Sequence, residues 1–314
     1  MNIDYGTITY DGKLAQEIFS KDVYGLDLRS YGVQFMDGVK GKVKLHTGEI
    51  GDAWQPYSCP FSAAGSVAIG EWVMEPAAIK VNQEMCYDQF WSNFLVEQTS
   101  ITLNGGIPQT FAEWYFGKLR EKMSKEYQEI FWKGDTARTA TTQTYLKVTD
   151  GVEKQLASNS AVTSISGSAF TVDNILAQVE AAINAGLGVA ATAEAPTDNY
   201  KVFMNYADVQ VLKMALGKVC CPNAQSIFSN YAQGANGEVV IYGFAVVPTM
   251  QTRNTVIFGP ANNLVLGFDT YDSHLEYRLI DMRETTGDNM FRVLAISNIA
   301  VGIVFPELFV ISKP

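Results

Sequence analysis

The run PQTFAEWYFGKLREKMSKEYQEIFWKGD, Pro108 to Asp135, constrains this chain more than any other stretch. Phe111, Tyr115, Leu119, Met123 and Tyr127 recur at every fourth position, with Trp114, Ile130 and Phe131 beside them. That spacing lays one apolar stripe along a helix and predicts a helix over 110–133. Thr110 and Glu113 fit a capping box, in which two side chains satisfy two orphan backbone donors. Pro108 sits just outside, where a missing N–H costs little. On the far face Glu121 can meet Lys125, Lys122 can meet Glu126 and Lys125 can meet Glu129, each pair contributing about 0.2–0.5 kcal/mol. Gly134 is expected to stop the helix in a left-handed conformation, with Asp135 just beyond it. At about 1.5 Å per residue the helix is a beam of roughly 35 Å. Nothing on it looks catalytic, and an aromatic stripe of this kind reads as core contact.

The 314-residue chain is long enough for two modest domains or one elaborated domain. Only 18% of residues are charged while 47% are hydrophobic, a lean surface that suits a protein covering itself with its own copies. The net charge of −10 argues against tight nucleic-acid binding, which needs clustered Lys and Arg. The nearest thing to a cluster is Lys40, Lys42 and Lys44. Cys59, Cys86, Cys220 and Cys221 have neither zinc-site nor C-x-x-C spacing and read as reduced thiols. The N-terminal MNIDYGTITY lacks a basic start and an apolar core, so no signal peptide is expected. No apolar run reaches the roughly 18–20 residues of a membrane span, and no membrane partner is expected.

Residues 1–36 read as an extended arm needing a partner surface. Residues 37–83 read as a long β-excursion rich in Gly and Pro, with GKVKLH, PYSCPF and VAIGEWVM along it. A two-stranded ribbon is marginal alone, and leaving its aromatics in water is costly. Residues 84–98 read as a short amphipathic helix, separated from the long one by LNGGIP. YLKV and SAFTV read as strands. Thr171 is expected to cap a second helix that Gly186 ends. A boundary is expected near the small-residue run GVAATAEAPTDN. Beyond it, KVFMN and six later segments read as strands, with Asn205 capping a helix through Leu216.

Chemistry is not apparent. His46 and His274 form no metal-spaced pair. No nucleophile elbow and no P-loop occurs. Gly186, Gly188 and Ala191 match G-x-G-x-x-A, but after a helix instead of a strand. Asp269, Asp272 and Glu276 lack an EF-hand's central glycine and spacing. No cofactor, metal or catalytic residue is expected.

The order of parts is more specific. Cys59-Pro-Phe61 with Gly65, IKVNQEMC ending at Cys86, IFWKGD at 130–135, KVFMNYADVQVL, VVIYGFAVVP, FGPANNLVLGFD and VGIVFPELFVIS follow one another as in the major capsid proteins of tailed bacteriophages. The chain resembles that family, with its Hong Kong 97-type fold, and within it the capsid proteins of crAss-like phages. The resemblance implies an α+β fold with an N-arm at 1–36 and an E-loop at 37–83. It further implies a P-domain at 84–187 with 290–314, built on the spine helix, and an A-domain at 188–289. It implies no enzymatic activity and a structural role: self-association as hexamers and pentamers into an icosahedral shell around double-stranded DNA. Expected partners are copies of the same chain, a portal protein, scaffolding and decoration proteins, and packaged DNA held without specific binding. Assembly is expected in the host bacterial cytoplasm, and the finished protein in the virion capsid. Many relatives carry an N-terminal scaffolding segment removed by a protease, and its absence here would mean prior cleavage or separate scaffolding.

Expected inter-subunit anchors on the E-loop are Trp54, Tyr57, Phe61, Ile69 and Trp72. Expected hinges are Gly38, Pro76, Asn104, Gly105 and Gly106, and Gly134 with Asp135 marks the end of the spine. Two rival readings are an encapsulin-like nanocompartment shell and an α+β hydrolytic enzyme.

Overall fold

The predicted spine is present as α1 (Phe111–Lys133), and its stripe is the centre of the main core. Tyr115, Leu119, Met123, Tyr127, Ile130, Phe131 and Trp132 are all buried. The computed structural model describes residues 8–11, 27–50, 54, 57, 59, 66–86, 94–95, 111–218, 239–268, 276–283 and 286–314. The proposed capping box at Thr110 lies outside them. Of the expected charge pairs, Lys122–Glu126 forms at 3.2 Å, whereas Glu129 instead accepts a hydrogen bond from the Tyr145 hydroxyl.

In chain order the strands begin with β1 (Ile8–Asp11), β2 (Gln34–Met36), β3 (Val43–Ile50), β4 (Val67–Met74) and β5 (Ala77–Cys86). After α1 come α2 (Val152–Ser158), β6 (Thr163–Ser166), α3 (Ile175–Thr192), β7 (Tyr200–Asn205) and α4 (Tyr206–Lys218). Next are β8 (Val239–Ile241), β9 (Phe244–Thr249), β10 (Val256–Pro260), β11 (Leu264–Phe268) and β12 (Glu276–Asp281). β13 (Met290–Ile303) and β14 (Val310–Lys313) complete the set.

Among the described residues these strands form two six-stranded sheets. In the first, the order is β1-β12-β13-β11-β2, and β5 lies along β13 from Ala77↔Ile299 to Cys86↔Met290. In the second, the order is β6-β14-β10-β7-β9-β8. α1 and both sheets share the main core, where Trp132 meets Phe131 edge-on at 5.1 Å and Phe203 of β7 at 5.2 Å. The other face of the second sheet is covered by α3 and α4: Val202, Met204, Val256 and Phe258 meet Val179, Ile183, Val209 and Leu212. A sheet buried on both faces needs near-continuous apolar strands, which is why KVFMN and TVIFGP show no alternation.

Several expectations are corrected. The chain from Leu28 to Met36 is not a free arm: Leu28 and Val33 are buried, β2 runs parallel to β11, and Lys201 Nζ donates to the Tyr31 carbonyl at 2.8 Å. The helix expected from residue 84 gives way to strand through Cys86, because β13 supplies a full-length partner. Tyr145 to Val148 is not a strand, since Thr144–Lys147 form a 3₁₀ turn under α1. SAFTV is not a strand either, the strand there being β6 at Thr163–Ser166. The N-cap of α3 is Asn174, not Thr171. Nor does Gly186 end that helix: a Cβ there would come within 2.1 Å of Phe258 Cδ1, so glycine lets helix and sheet touch. α3 therefore runs unbroken across the boundary expected at 187/188. The 188–289 segment is likewise split, with β11 and β12 in the first sheet, while the C-terminal β14 joins the second. Asn205 does cap α4, its Oδ1 accepting from Ala207 N at 2.9 Å.

Candidate assembly surface

β3 and β4 pair only with each other among the described residues, in register from Val43↔Met74 to Ile50↔Val67. The hairpin therefore leaves the first sheet with both of its outer edges unpaired. At its root Lys42 pairs with Glu75, and one step out Lys44 Nζ lies 3.1 Å from Glu71 Oε2. These side chains are all half or more exposed, so each pair adds at most about 1 kcal/mol. His46 stands opposite Glu71 and is exposed.

The outer part of the hairpin carries the apolar anomaly. Trp54 is 96% exposed, Tyr57 93% and Ile69 73%. Tyr57 Oη lies 3.9 Å from Cys59 Sγ, and that thiol is free and exposed. Burying such side chains is worth about 1.5–3 kcal/mol each. Together, two between the strands and Ile69 on β4, they form a surface suited to being covered.

The other predicted positions divide by location. Phe61 lies outside the described residues, as do Asn104, Gly105 and Gly106. Trp72 differs from the tip residues: it is half-buried, and its ring lies on Gly302 of its own chain. Gly38 has φ +78° with open space around the missing Cβ, a conformation that suits glycine at the foot of β3. Pro76 sits half-buried between β4 and β5.

Gly134 is buried and is not left-handed. Its role is close approach, since a Cβ there would lie 2.2 Å from the Thr149 carbonyl oxygen. Asp135 follows, accepting from Ala137 N at 3.0 Å and pairing with Lys154 at 3.3 Å. The backbone hydrogen bond from Ala137, aided by Lys154 and Arg138, holds its carboxyl below the usual range. Nearby, Glu153 of α2 accepts from the backbone of Thr252, tying α2 to the loop after β9. Burial raises its carboxyl pKa, opposed by that hydrogen bond and by Lys133 and Lys313.

Sequence reasoning missed the seat under the hairpin. Met74, buried, packs with Val39, Val265 and Ala300, and Trp72 joins them. The signal was a glycine inside each of two strand patterns, NLVLGFD and AVGIVF, which marks close approach of another group. Beside this seat is a cleft of about 450 Å³ between Trp72–Ala77 and the spine-end residues Thr136, Val148–Asp150 and Gln155.

Among the described residues no group of three or more His, Cys, Asp or Glu side chains could hold a metal. α3 is long and apolar enough to cross a membrane by composition, contrary to expectation. Its face of Ile175, Val179, Ala182 and Ile183 is core packing against the second sheet.

No protein-family model matches the chain, and no curated protein matches it. Solved structures do. A chain of the satellite phage P4 procapsid including size determination (Sid) protein aligns over 100% of this chain and 92% of its own, with TM-score 0.61 and 10% identity. A chain of the capsid of Myoviridae phage XM1 aligns over 92% and 91%, with TM-score 0.58 and 10% identity. A virus-like particle from Pyrococcus furiosus aligns over 97% and 99%, with TM-score 0.51 and 11% identity. Spine helix, projecting hairpin and two-sheet body together make this chain an α+β protein of the Hong Kong 97-type fold.

Proposed function

We propose that the chain is the major capsid protein of a tailed bacteriophage, a structural subunit and not an enzyme. It assembles with itself, as hexamers and pentamers, into an icosahedral shell around double-stranded DNA. The observation that carries this reading is the hairpin: Trp54, Tyr57 and Ile69 stand in water on a ribbon too thin to shelter them. The full-length likeness to phage capsid and procapsid chains supports it. In this reading β3, β4 and the residues between them are the E-loop, and Trp54, Tyr57, Phe61 and Ile69 are its contacts on a neighbour. The first sheet with α1 is the P-domain, and the second sheet with α3 and α4 is the A-domain. Head-to-tail contacts of this kind close into rings, and obligate interfaces bury about 2,000–5,000 Å².

Portal, scaffolding and decoration proteins and packaged DNA are the further partners. Assembly is in the host bacterial cytoplasm, and the mature location is the virion capsid. Kinship with crAss-like phages rests on the order of the sequence motifs alone. The likeness to a virus-like particle of Pyrococcus furiosus favours one second reading, an encapsulin-like compartment holding protein cargo.

Purified chain imaged by negative-stain microscopy and sized by light scattering should give capsomers or closed shells. Shells from producing cells should contain DNA, and protein cargo instead would favour the compartment. Deleting residues 48–70 should leave a soluble folded subunit that forms no closed particle. A wild-type chain that stays monomeric under all conditions, or a deletion variant that still makes normal shells, overturns the proposal.

A further inference from the structure

The hairpin meets the body at one small seat. β11 and β13 pair Val265↔Gly302 and Gly267↔Ala300, so these four residues share one face of the first sheet. Their neighbours Leu264, Leu266, Ile299, Val301 and Ile303 point the other way, into the main core. Two glycines and an alanine leave a hollow on the outer face, and Met74 and Trp72 fill it. A Cβ on Gly267 would lie 2.5 Å from Met74 Cε, and one on Gly302 would lie 2.3 Å from Trp72 Cζ2. Both side chains come from the root of β4, two residues apart on the same face of the strand.

Among the described residues, Val43 of β3 and Met36 also pack against this seat at the foot of the hairpin. Val39 N donates to the Phe268 carbonyl at 3.1 Å, and the Lys42–Glu75 pair at the root is exposed. The cleft of about 450 Å³ lies beside Trp72 and Pro76, so there is room to swing that way. We propose that this hollow is the angle-setting joint of the hairpin, with Trp72 and Met74 as positioning residues that fix the diameter of the assembled shell. This rests on the shell function proposed above.

The lever is unequal. At about 3.3 Å per residue, Trp72 is roughly 7 Å beyond Met74 along β4 and Val67 roughly 23 Å beyond it. Relieving a 2.3 Å clash at Gly302 requires the indole to rise about 1.5 Å, which moves the Val67 end about 5 Å if the strand tilts rigidly about Met74. A shift of that size at every contact changes the angle between neighbouring subunits.

The test is Gly302→Ala, alone and with Trp72→Leu, in the full chain, with the 48–70 deletion and wild type alongside. In unassembled subunits, acrylamide quenching assigned to Trp72 by difference from Trp72→Phe should rise in Gly302→Ala. Particles of Gly302→Ala should lose the single wild-type diameter, and the double variant should restore it. Wild-type diameters in Gly302→Ala, or quenching unchanged, overturn the proposal. Should Gly302→Ala not fold, Trp72→Ala empties the seat without a clash. Mixed diameters are then expected, and a uniform wild-type diameter overturns the proposal. Failure of the shell function itself has a separate signature: wild-type chain that forms no particles at all.

Discussion

Replacing Gly134 by alanine tests why the spine ends where it does. A Cβ at this position would lie 2.2 Å from Thr149 O, 2.7 Å from Ile130 O and 3.0 Å from Gly151 N. All three are backbone atoms, and the segments carrying them are tied together. Gly151 N donates to Gly134 O at 2.8 Å, and Asp135 N donates to Leu146 O at 2.7 Å. Relieving the clash requires moving the 146–151 segment off the helix end and shifting position 134 away from Ile130 O of the helix itself. Overpacking of this kind costs about 1–3 kcal/mol. Losing the Gly151–Gly134 hydrogen bond adds about 1 kcal/mol. The better helix propensity of alanine offsets at most about 1 kcal/mol. The net expectation is a loss of about 2 kcal/mol, read as a lower denaturant midpoint of the unassembled subunit at unchanged m-value. Gly188→Ala is the control, since that α3 glycine has nothing within 4 Å and should gain about 0.5–1 kcal/mol. If Gly134→Ala is neutral while Gly134→Asn is tolerated equally well, close approach is not what requires glycine there.

Trp54→Ala with Tyr57→Ala should leave subunit stability within about 0.5 kcal/mol, because both side chains are already in water. The same double variant should raise the protein concentration needed for particle formation, measured by light scattering; unchanged assembly would remove these two from the contact. Glu153 provides a pH test. Its folded pKa is raised, so the folded state holds that proton longer than the unfolded state. Stability therefore falls as pH rises from the ordinary carboxyl value through the raised one. Glu153→Gln keeps an acceptor for Thr252 and should flatten that fall in denaturation midpoints measured across the acid range; an unchanged slope would refute the assignment.

What could be read from the chain alone tracks how local each signal was. The periodicity of α1 was legible because a helix spaces its stripe within the segment itself, and Asn205 was legible because a cap acts over two residues. The projecting hairpin was legible from stranded aromatics between turn residues. Trp72 was read as one more E-loop anchor, and its seat against its own chain was not legible because that seat is made by Gly302, far along the chain. Gly186 was read as a helix stop for the same reason, whereas the spine does end before Gly134, without the left-handed turn expected there. Glycine signals either backbone freedom or close approach, and only the partner, Phe258 or Thr149, tells which.

The amino-acid order by itself determined the long spine helix, a ribbon carrying aromatics between turn residues, and an α+β remainder. Tertiary structure decided how strands were divided between sheets: β14 beside β6 and β10, β5 beside β13, and β2 beside β11. It also decided where the ribbon is seated. The physical reason is that strand pairing and side-chain seating are contacts between distant segments, and their energy depends on partners that no local window contains.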